Sequence, residues 1–374
     1  MDMWWSAESD DAERSAAEIE RSFSSSQLWE FEQFLGNGSF GVVVLLRDKN
    51  PLLPFDQRRV VLKQPIIEEK GAEELLKEIS ALKRLRGSFH IGQLLASCDD
   101  VAAANSSTSS GLGVLGTPLS AVFDTLRETR LKGPALLLEY LENGSLSKLA
   151  YRARAYKSVR GTEIRLPNRL LWSFYFCLVR ACVGMAYPPE SPENSPLVLE
   201  TIPPDREPLG LAHGDIAFRN IMMGDRDPVG PPEHHLAPQL KLIDFGCMRV
   251  FPLRALNTIK ENISDISLVI LDLICLNNQN DGMVSYGVFN GIRTMADVIV
   301  PQPDSDPFPH LDHELRDLII QAMAVASVDR PSLGEMLRRT EQGMQKPPSL
   351  YPGQELAESD HLVEEIIQVL VFNA

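Results

Sequence analysis

The sequence predicts an α+β protein in which a small strand-rich lobe precedes a larger helical lobe. Three observations lead to this fold class. Runs of β-branched residues cluster between residues 28 and 64, long apolar helical segments follow residue 142, and a buried strand near residue 140 separates the two regions. The chain has 374 residues, of which 44% are hydrophobic and 23% are charged, and this composition suits one large or two modest globular domains.

The strand-rich lobe is predicted from short apolar runs and from one amphipathic segment. Residues 42–46 (VVVLL) and 60–63 (VVLK) are typical of buried strands, and residues 134–140 (PALLLEY) predict a further one. Residues 71–87 carry leucine and isoleucine at helical spacing. The first turn of this segment is acidic and its last turn is basic, as the helix dipole favours.

The rest of the chain divides into a helical lobe and less regular segments. Residues 167–187 are predicted to be the core helix of the second lobe, and the chain is helical in pattern from Ile263 onward. Residues 1–27 are charged and serine-rich, and they are predicted to be a mobile acidic arm. The full division is an N-lobe 28–141, a C-lobe 142–342, insertions near 99–133, 188–208 and 224–238, and a tail 343–374 with a helix.

Charge and cysteine content narrow the classes of partner. The net charge of −15 makes nucleic acid and membrane surfaces poor partners, since like charges repel. We expect no stretch of the chain to reach the ~18 apolar residues of a membrane span. The five cysteines include no C-x-x-C pair, which argues against disulfides or a zinc site. We expect a cytoplasmic protein, with the nucleus as the open alternative.

A glycine-rich motif lies at the start of the strand-rich lobe. The segment LGNGSFGVV (35–43) has the pattern G-x-G-x-x-G-x-V, formed by Gly36, Gly38, Gly41 and Val43. Dinucleotide-binding folds use similar glycines, but there a helix follows, whereas here the strand-like run VVVLL follows. A strand–turn–strand of this kind can fold over nucleotide phosphates, and a plain hairpin turn is the alternative.

Charged and amide side chains suited to phosphate chemistry follow in three places. Lys63 ends a buried strand and needs an anionic partner, which Glu78 in the next helix can supply. In LAHGDIAFRNIMM (211–223), Asp215 could accept the proton of an attacking hydroxyl, and the amide oxygen of Asn220 could bind Mg²⁺. In LKLIDFG (240–246), Asp244 follows an apolar strand and could also bind Mg²⁺.

In this order, the motifs resemble those of the eukaryotic protein kinases, over residues 30–342. The resemblance implies a two-lobed protein-kinase-like fold, with a small β-rich N-lobe, a larger α-helical C-lobe, and ATP and Mg²⁺ as cofactors. The segment SDISLVILDL (264–273) resembles the core helix of that family, whose Asp265 would support the catalytic loop. VDRPSLGEML (328–337), with Arg330, resembles its closing helices.

The resemblance also implies roles for individual residues. Asp215, Lys63 and Asn220 would be catalytic, and Asn220 and Asp244 would hold Mg²⁺. Backbone groups of Glu139 and Leu141 would bind adenine, and Leu138 would guard the pocket behind it. The full nucleotide-binding set would comprise Gly36, Gly38, Gly41, Val43, Val61, Lys63, Glu78, Glu139, Leu141 and Met222. His213 is expected to be a hydrogen-bonding residue of the loop rather than a base.

Departures from the family pattern keep three functions open. Val61 stands where the family has an alanine above the adenine site, and Gly214 stands where it has an arginine. The segment 247–264 is shorter than in the family, and Thr258 and Ser264 carry its only hydroxyls. We therefore expect no activation by phosphorylation of that segment. An active protein kinase acting on a protein hydroxyl is the first interpretation. The alternatives are a pseudokinase that binds nucleotide or acts as a scaffold, and a small-molecule kinase similar to aminoglycoside and choline phosphotransferases. The protein substrate or scaffold partner is unknown.

Overall fold

The computed structural model is a mixed α+β protein in which the chain forms two compact units. It describes residues 9–38, 41–50, 58–66, 70–102, 117–160, 165–190, 197–276 and 284–372. The first unit, here called the sheet unit, comprises Met1–Arg86, Gly92–Tyr140 and Asp244–Cys247. The second, here called the helical unit, comprises Gly87–Ile91, Leu141–Ile243 and Met248–Ala374.

The sheet unit is built on an antiparallel sheet whose strands lie in the order β1-β2-β3-β5-β4. The predicted strands at 42–46, 60–63 and 134–140 and the predicted helix at 71–87 are confirmed in type and place. The strands are β1 (Trp29–Gly38), β2 (Gly41–Asp48), β3 (Arg59–Gln64), β4 (Leu94–Cys98) and β5 (Ala135–Glu139), and the helices are α1 (Ser9–Phe23), α2 (Lys70–Leu85) and α3 (Ser120–Leu126).

One face of this sheet carries the hydrophobic core of the unit. Alternate residues of β2, β3 and β5 point to this face, and they pack with Trp29 and with side chains from α1 and α3. The segment before α3 is fixed as well, because Thr117 donates its hydroxyl to the buried carboxylate of Asp48 at 2.6 Å. Residues of the predicted insertion 99–133 thus belong to the core, while its serine-rich part, 103–116, lies outside the described residues.

The prediction of a mobile arm at 1–27 is wrong for Ser9–Phe23, which form α1. Ala12, Ala16, Ile19 and Phe23 are buried, and they recur at the spacing of one helical face. The hydrophobic effect therefore holds this acidic segment on the sheet, since burying a side chain such as Ile19 contributes about 1.5–3 kcal/mol.

The helical unit surrounds the long helix α5, which packs against α6 and α8. The predicted core helix at 167–187 is confirmed, and α6 begins at Ala255, earlier than the expected Ile263. The helices are α4 (Leu146–Arg160), α5 (Asn168–Ala186), α6 (Ala255–Ile274), α7 (His313–Ala322), α8 (Leu333–Met344) and α9 (Asp360–Ile367). Short antiparallel pairs join β6 (Leu211–Ala212) to β9 (Arg249–Val250), β7 (Ile221–Met223) to β8 (Leu240–Leu242), and β10 (Gly287–Phe289) to β11 (Ile292–Thr294).

Helix α5 is the one described helix that is long and apolar enough to cross a membrane, with a mean hydropathy of 1.3 over its best window. The expectation that no stretch would reach this length and composition is therefore wrong. However, 83% of that window is buried inside the protein, as in the core helix of a globular domain.

The remaining irregular segments also contribute to the helical unit. The predicted insertions at 188–208 and 224–238 place Glu200, Glu233 and His234 in buried positions, and residues 191–196 lie outside the described residues. The predicted tail helix is present as α9 with a following π-turn, Gln368–Phe372. Arg152 on α4 donates to the carbonyl of Leu370 at 3.0 Å, so the tail packs on this unit.

Candidate functional site

The glycine motif forms the end of the β1–β2 hairpin, where Gly38 pairs with Gly41. Gly36 has φ 139°, a value that L side chains rarely adopt, and it pairs with Val43. A Cβ on Gly41 would lie 2.3 Å from the carbonyl oxygen of Gln64, so this position has no room for a side chain. The prediction that a strand rather than a helix follows the glycines is confirmed, and residues 39–40 lie outside the described residues.

A buried ammonium with two carboxylate partners lies in the sheet unit. Lys63 on β3 donates to Oε2 of Glu78 on α2 at 2.7 Å and to Oδ1 of Asp244 at 3.1 Å. The side chains of Lys63 and Glu78 are 5% and 1% exposed, whereas that of Asp244 is 26% exposed. The pair expected between Lys63 and Glu78 is confirmed, and Asp244 lies beside it.

The electrostatics of this group keep the ammonium charged. Burial lowers the pKa of Lys63, but the charges and hydrogen bonds of Glu78 and Asp244 outweigh burial and raise it overall. Burial raises the pKa of Glu78, and the contact with Lys63 opposes that effect. Asp244 is the most exposed of the three, so it is the carboxylate best placed to exchange Lys63 for a ligand cation.

The backbone of Asp244 is strained, with φ 62° in the left-handed region. A hydrogen bond from the N–H of Gly246 to Oδ1 of Asp244, at 3.4 Å, accompanies this conformation. Such backbone costs on the order of 1–3 kcal/mol and is concentrated at binding and catalytic sites. Asp244 lies two residues after the end of β8, and this backbone conformation accompanies the contact of its carboxylate with Lys63.

A half-buried apolar surface lies on the sheet face opposite the core. Val43, Val61 and Leu138 are each half-buried, and the strand register pairs Val61 with Leu138. Lys63 lies on this same face, two residues after Val61. At the end of β5, the N–H of Glu139 donates to the carbonyl of Gln93 at 3.1 Å, and its carboxylate accepts from the N–H of Gln93 at 2.8 Å.

A second polar group lies in the helical unit, between β6 and β7. Nδ2 of Asn220 donates to Oδ2 of Asp215 at 2.9 Å and to its carbonyl at 2.8 Å, and Arg219 forms an ion pair with Asp215. The amide oxygen of Asn220 takes no part in this pairing, so it is the atom that could bind a cation. Leu141 and Met222 also belong to this unit, and Met222 pairs with Lys241 between β7 and β8.

The loop that carries Asp215 is held by two buried side chains. His213 is fully buried, and its Nε2 lies 3.0 Å from the carbonyl oxygen of Ile243, which confirms a hydrogen-bonding role in the loop. Asn262 on α6 accepts from the N–H of His213 at 3.2 Å and donates to the carbonyl of Leu211 at 2.7 Å. The expected support by Asp265 is therefore corrected to Asn262, which lies almost one helical turn earlier.

Asp265 and Arg330 lie near each other, and Asp265 has a perturbed pKa. Burial raises the pKa of Asp265 to about 6, although the charge of Arg330 opposes the shift. Arg330 donates to the carbonyl oxygens of Ala324 and Lys260 at 2.8 and 2.9 Å. Arg330 therefore connects α6 to the segment that precedes α8.

The short segment 247–264 runs from the sheet unit into α6. Its hydroxyl residues Thr258 and Ser264 are 2% and 6% exposed, and both lie within α6. The Thr258 hydroxyl donates to the carbonyl of Arg254 at 3.1 Å. Neither hydroxyl is accessible to a kinase in this conformation.

No protein-family model matches this chain, and no curated protein matches it. The case for a function therefore depends on the donor sets themselves. Carboxylate and amide oxygens are the ligands that Mg²⁺ prefers, and the two groups supply them through Asp244, Asp215 and Asn220. The amino group of Lys63 supplies a cation suited to phosphate oxygens.

Proposed function

We propose that the chain adopts the two-lobed fold of protein kinases and is an ATP-dependent phosphotransferase, with a protein hydroxyl as acceptor. The observation that carries the proposal is the buried ammonium of Lys63 between Glu78 and Asp244. It lies on a sheet whose glycine hairpin excludes a side chain at Gly41. Phosphoryl transfer depends mainly on positioning and on neutralising charge, and these residues are suited to both tasks.

The roles of the residues follow from their chemistry. Lys63 would bind nucleotide phosphates, and Glu78 would keep its side chain extended from β3. Asp215 would take the proton of the attacking hydroxyl, while Arg219 and Asn220 orient its carboxylate. Asp244 in the sheet unit and the amide oxygen of Asn220 in the helical unit are each suited to bind Mg²⁺, which would neutralise charge on the phosphates.

The half-buried apolar face is the proposed adenine site. Val43, Val61 and Leu138 present aliphatic surface without exposing charge, which suits a flat aromatic base. The backbone carbonyl of Glu139 and the N–H of Leu141 would supply the hydrogen bonds that select adenine.

A small-molecule acceptor is the second candidate, and the short segment 247–264 favours it. A peptide substrate needs an extended platform, whereas this segment reaches the buried helix α6 within a few residues. A nucleotide-binding module without turnover is the third candidate. It is favoured by Val61, which places two more methyl groups than alanine over the proposed adenine site.

The deciding experiment is incubation of the purified chain with γ-labelled ATP and Mg²⁺. Label on the chain or on an added generic protein supports a protein kinase. Loss of ATP only with a pool of small hydroxyl compounds supports the second candidate, and a thermal shift without turnover supports the third. Absence of any nucleotide-dependent shift or turnover would remove the proposal altogether.

Two variants and a matched control separate binding from chemistry. Asp215→Asn should lower turnover by about 10²–10⁴-fold, the usual contribution of a general base, with nucleotide binding nearly unchanged. Asp244→Asn should also weaken binding that depends on Mg²⁺. Asp205→Asn removes an exposed carboxylate of the helical unit and should change neither quantity. Wild-type turnover in Asp215→Asn would refute the assignment of the base.

A further inference from the structure

A fully buried cluster of two imidazoles and a thiol lies within the helical unit. His90 belongs to the short stretch Gly87–Ile91, Cys177 to α5, and His234 to the turn Pro232–His234. All three are 0% exposed, and one possible ligand atom from each lies within 4.8 Å of the other two. None of them takes part in the proposed phosphotransfer.

The spacing of the nitrogens fits a tetrahedral metal ion. Nε2 of His90 and Nε2 of His234 are 3.2 Å apart. Two nitrogens bound to zinc at ~2.0–2.1 Å in tetrahedral geometry lie roughly 3.3 Å apart. Sγ of Cys177 lies 3.9 Å from Nδ1 of His234, the ring nitrogen that does not face His90, and it also contacts His90. In a metal site Nε2 of His234 would be the ligand, and Sγ would approach the ion beside it.

A carboxylate fixes the orientation of the first imidazole. Oε2 of Glu200 lies 2.7 Å from Nδ1 of His90, and Oε1 accepts from the backbone N–H of His90 at 2.7 Å. Because Nδ1 bonds to the carboxylate, Nε2 points to the centre of the cluster. Metal-binding histidines usually have such a carboxylate partner on their other nitrogen. Glu200 is itself 6% exposed, and Arg180 donates to its carbonyl at 2.9 Å.

The geometry points to a zinc site in which His90, Cys177 and His234 would supply three ligands to a single Zn²⁺ ion, with a water molecule in the fourth position. The two positive charges of the ion would be balanced by the thiolate of Cys177 and by the carboxylate of Glu200. Thiolate and imidazole are the ligands that zinc prefers, whereas Mg²⁺ prefers oxygen. The site would connect α5 to the stretch Gly87–Ile91 and to the turn Pro232–His234, which have little regular secondary structure.

The alternative to a bound metal ion is a chain of hydrogen bonds among the same side chains. Glu200 would accept from Nδ1 of His90, Nε2 of His90 would accept from His234, and His234 would accept from the thiol of Cys177. That chain satisfies each of these donors and acceptors without a metal. The two alternatives differ in metal content and in the ionisation of Cys177, and both are measurable.

Metal analysis of the full chain, expressed with zinc in the medium and purified without chelators, is the direct test. We expect about one equivalent of zinc in the wild type, since three buried ligands of this kind bind zinc tightly. Cys177→Ser should lose the metal. Cys182→Ser, which removes another buried thiol of α5 outside the cluster, should retain it.

Replacement of zinc by Co²⁺ gives a readout that does not require a variant. Cobalt bound in this site should show the near-ultraviolet charge-transfer band of a thiolate ligand and the visible bands of tetrahedral coordination. Glu200→Gln should keep these bands but weaken metal affinity by about 10–100-fold in chelator competition, since such partners typically have effects of that size.

The outcomes separate the two alternatives. Zinc in the wild type and in Cys182→Ser, with its loss in Cys177→Ser, supports the site. If the wild type holds no zinc and gives no cobalt band, the cluster is hydrogen-bonded without a metal and the proposal is wrong. Metal content unchanged by Cys177→Ser would also overturn the assignment of the ligands.

Discussion

Replacement of Lys63 by methionine would leave Glu78 as a buried carboxylate without its ammonium partner. Glu78 is 1% exposed, so it cannot recover its hydration without opening the sheet unit. Breaking one side of a buried ion pair costs about 3–5 kcal/mol. We therefore expect the free energy of unfolding of Lys63→Met to fall by about that amount.

The double variant Lys63→Met/Glu78→Leu should recover most of the loss. It removes both charges and fills the space with side chains of similar size, a change that is often neutral or stabilising. Asp244 is 26% exposed, so it can reach water once Lys63 is gone. The double variant should therefore be more stable than Lys63→Met by about 3 kcal/mol.

Hydrogen exchange of amides in β3 and α2, together with denaturant unfolding, measures these differences in the unit concerned. The matched control is Lys77→Met on α2, the helix that carries Glu78. The ammonium of Lys77 lies 3.0 Å from Glu74, but its side chain is 55% exposed. Exposed pairs contribute only about 0–1 kcal/mol. If Lys63→Met cost no more than Lys77→Met, the account of a buried pair would be refuted.

Three further predictions concern the core, pH and phosphorylation. Ile19→Ala should cost about 2–5 kcal/mol in unfolding experiments because it leaves a cavity, whereas exposed Glu20→Ala should cost less than about 0.5 kcal/mol; equal effects would contradict the burial of α1. Burial raises the pKa of Asp265 to about 6, so its ionisation destabilises the folded state as pH rises from about 4 to 6. The free energy of unfolding of Asp265→Asn should therefore rise by up to about 2–3 kcal/mol relative to that of the wild type over that range. A difference between the two proteins that stays constant with pH would contradict this. Mass spectrometry after incubation with ATP and Mg²⁺ should find no phosphate on buried Thr258 or Ser264, and phosphate there would disprove their inaccessibility.

Elements with a strong local pattern could be predicted from the sequence. The runs at 42–46 and 60–63 lie within β2 and β3, and the amphipathic segment at 71–87 corresponds to α2. Short β-branched runs indicate the two strands, and the spacing of leucine and isoleucine indicates the helix, so these predictions require no knowledge of distant contacts. The sequence does not predict helix α1 because two of its four buried apolar residues are alanine, which gives a weak apolar signal in a charged segment.

Contacts between distant parts of the chain were predictable only where a motif order suggested them. Lys63 and Asp244 are 181 positions apart, and only the ordered series of motifs in the sequence assigns them to the same site. Asn262 has no such motif, so its role in holding the Asp215 loop could be recognised only from its hydrogen bonds. In the proposed zinc site, His234 is 57 positions from Cys177 and 144 positions from His90, which no spacing rule for cysteine covers.

The energetic costs around Lys63 favour a binding site over a structural role. A buried ion pair is a poor source of stability, because apolar side chains of similar volume often stabilise a fold as well or better. Asp244 adds strained backbone to the same group, at φ 62°. Buried charge and backbone strain together are what a preorganised site for phosphate and cation requires, since the protein then does not reorganise when the ligand binds. A purely structural contact between β3 and α2 would need neither feature.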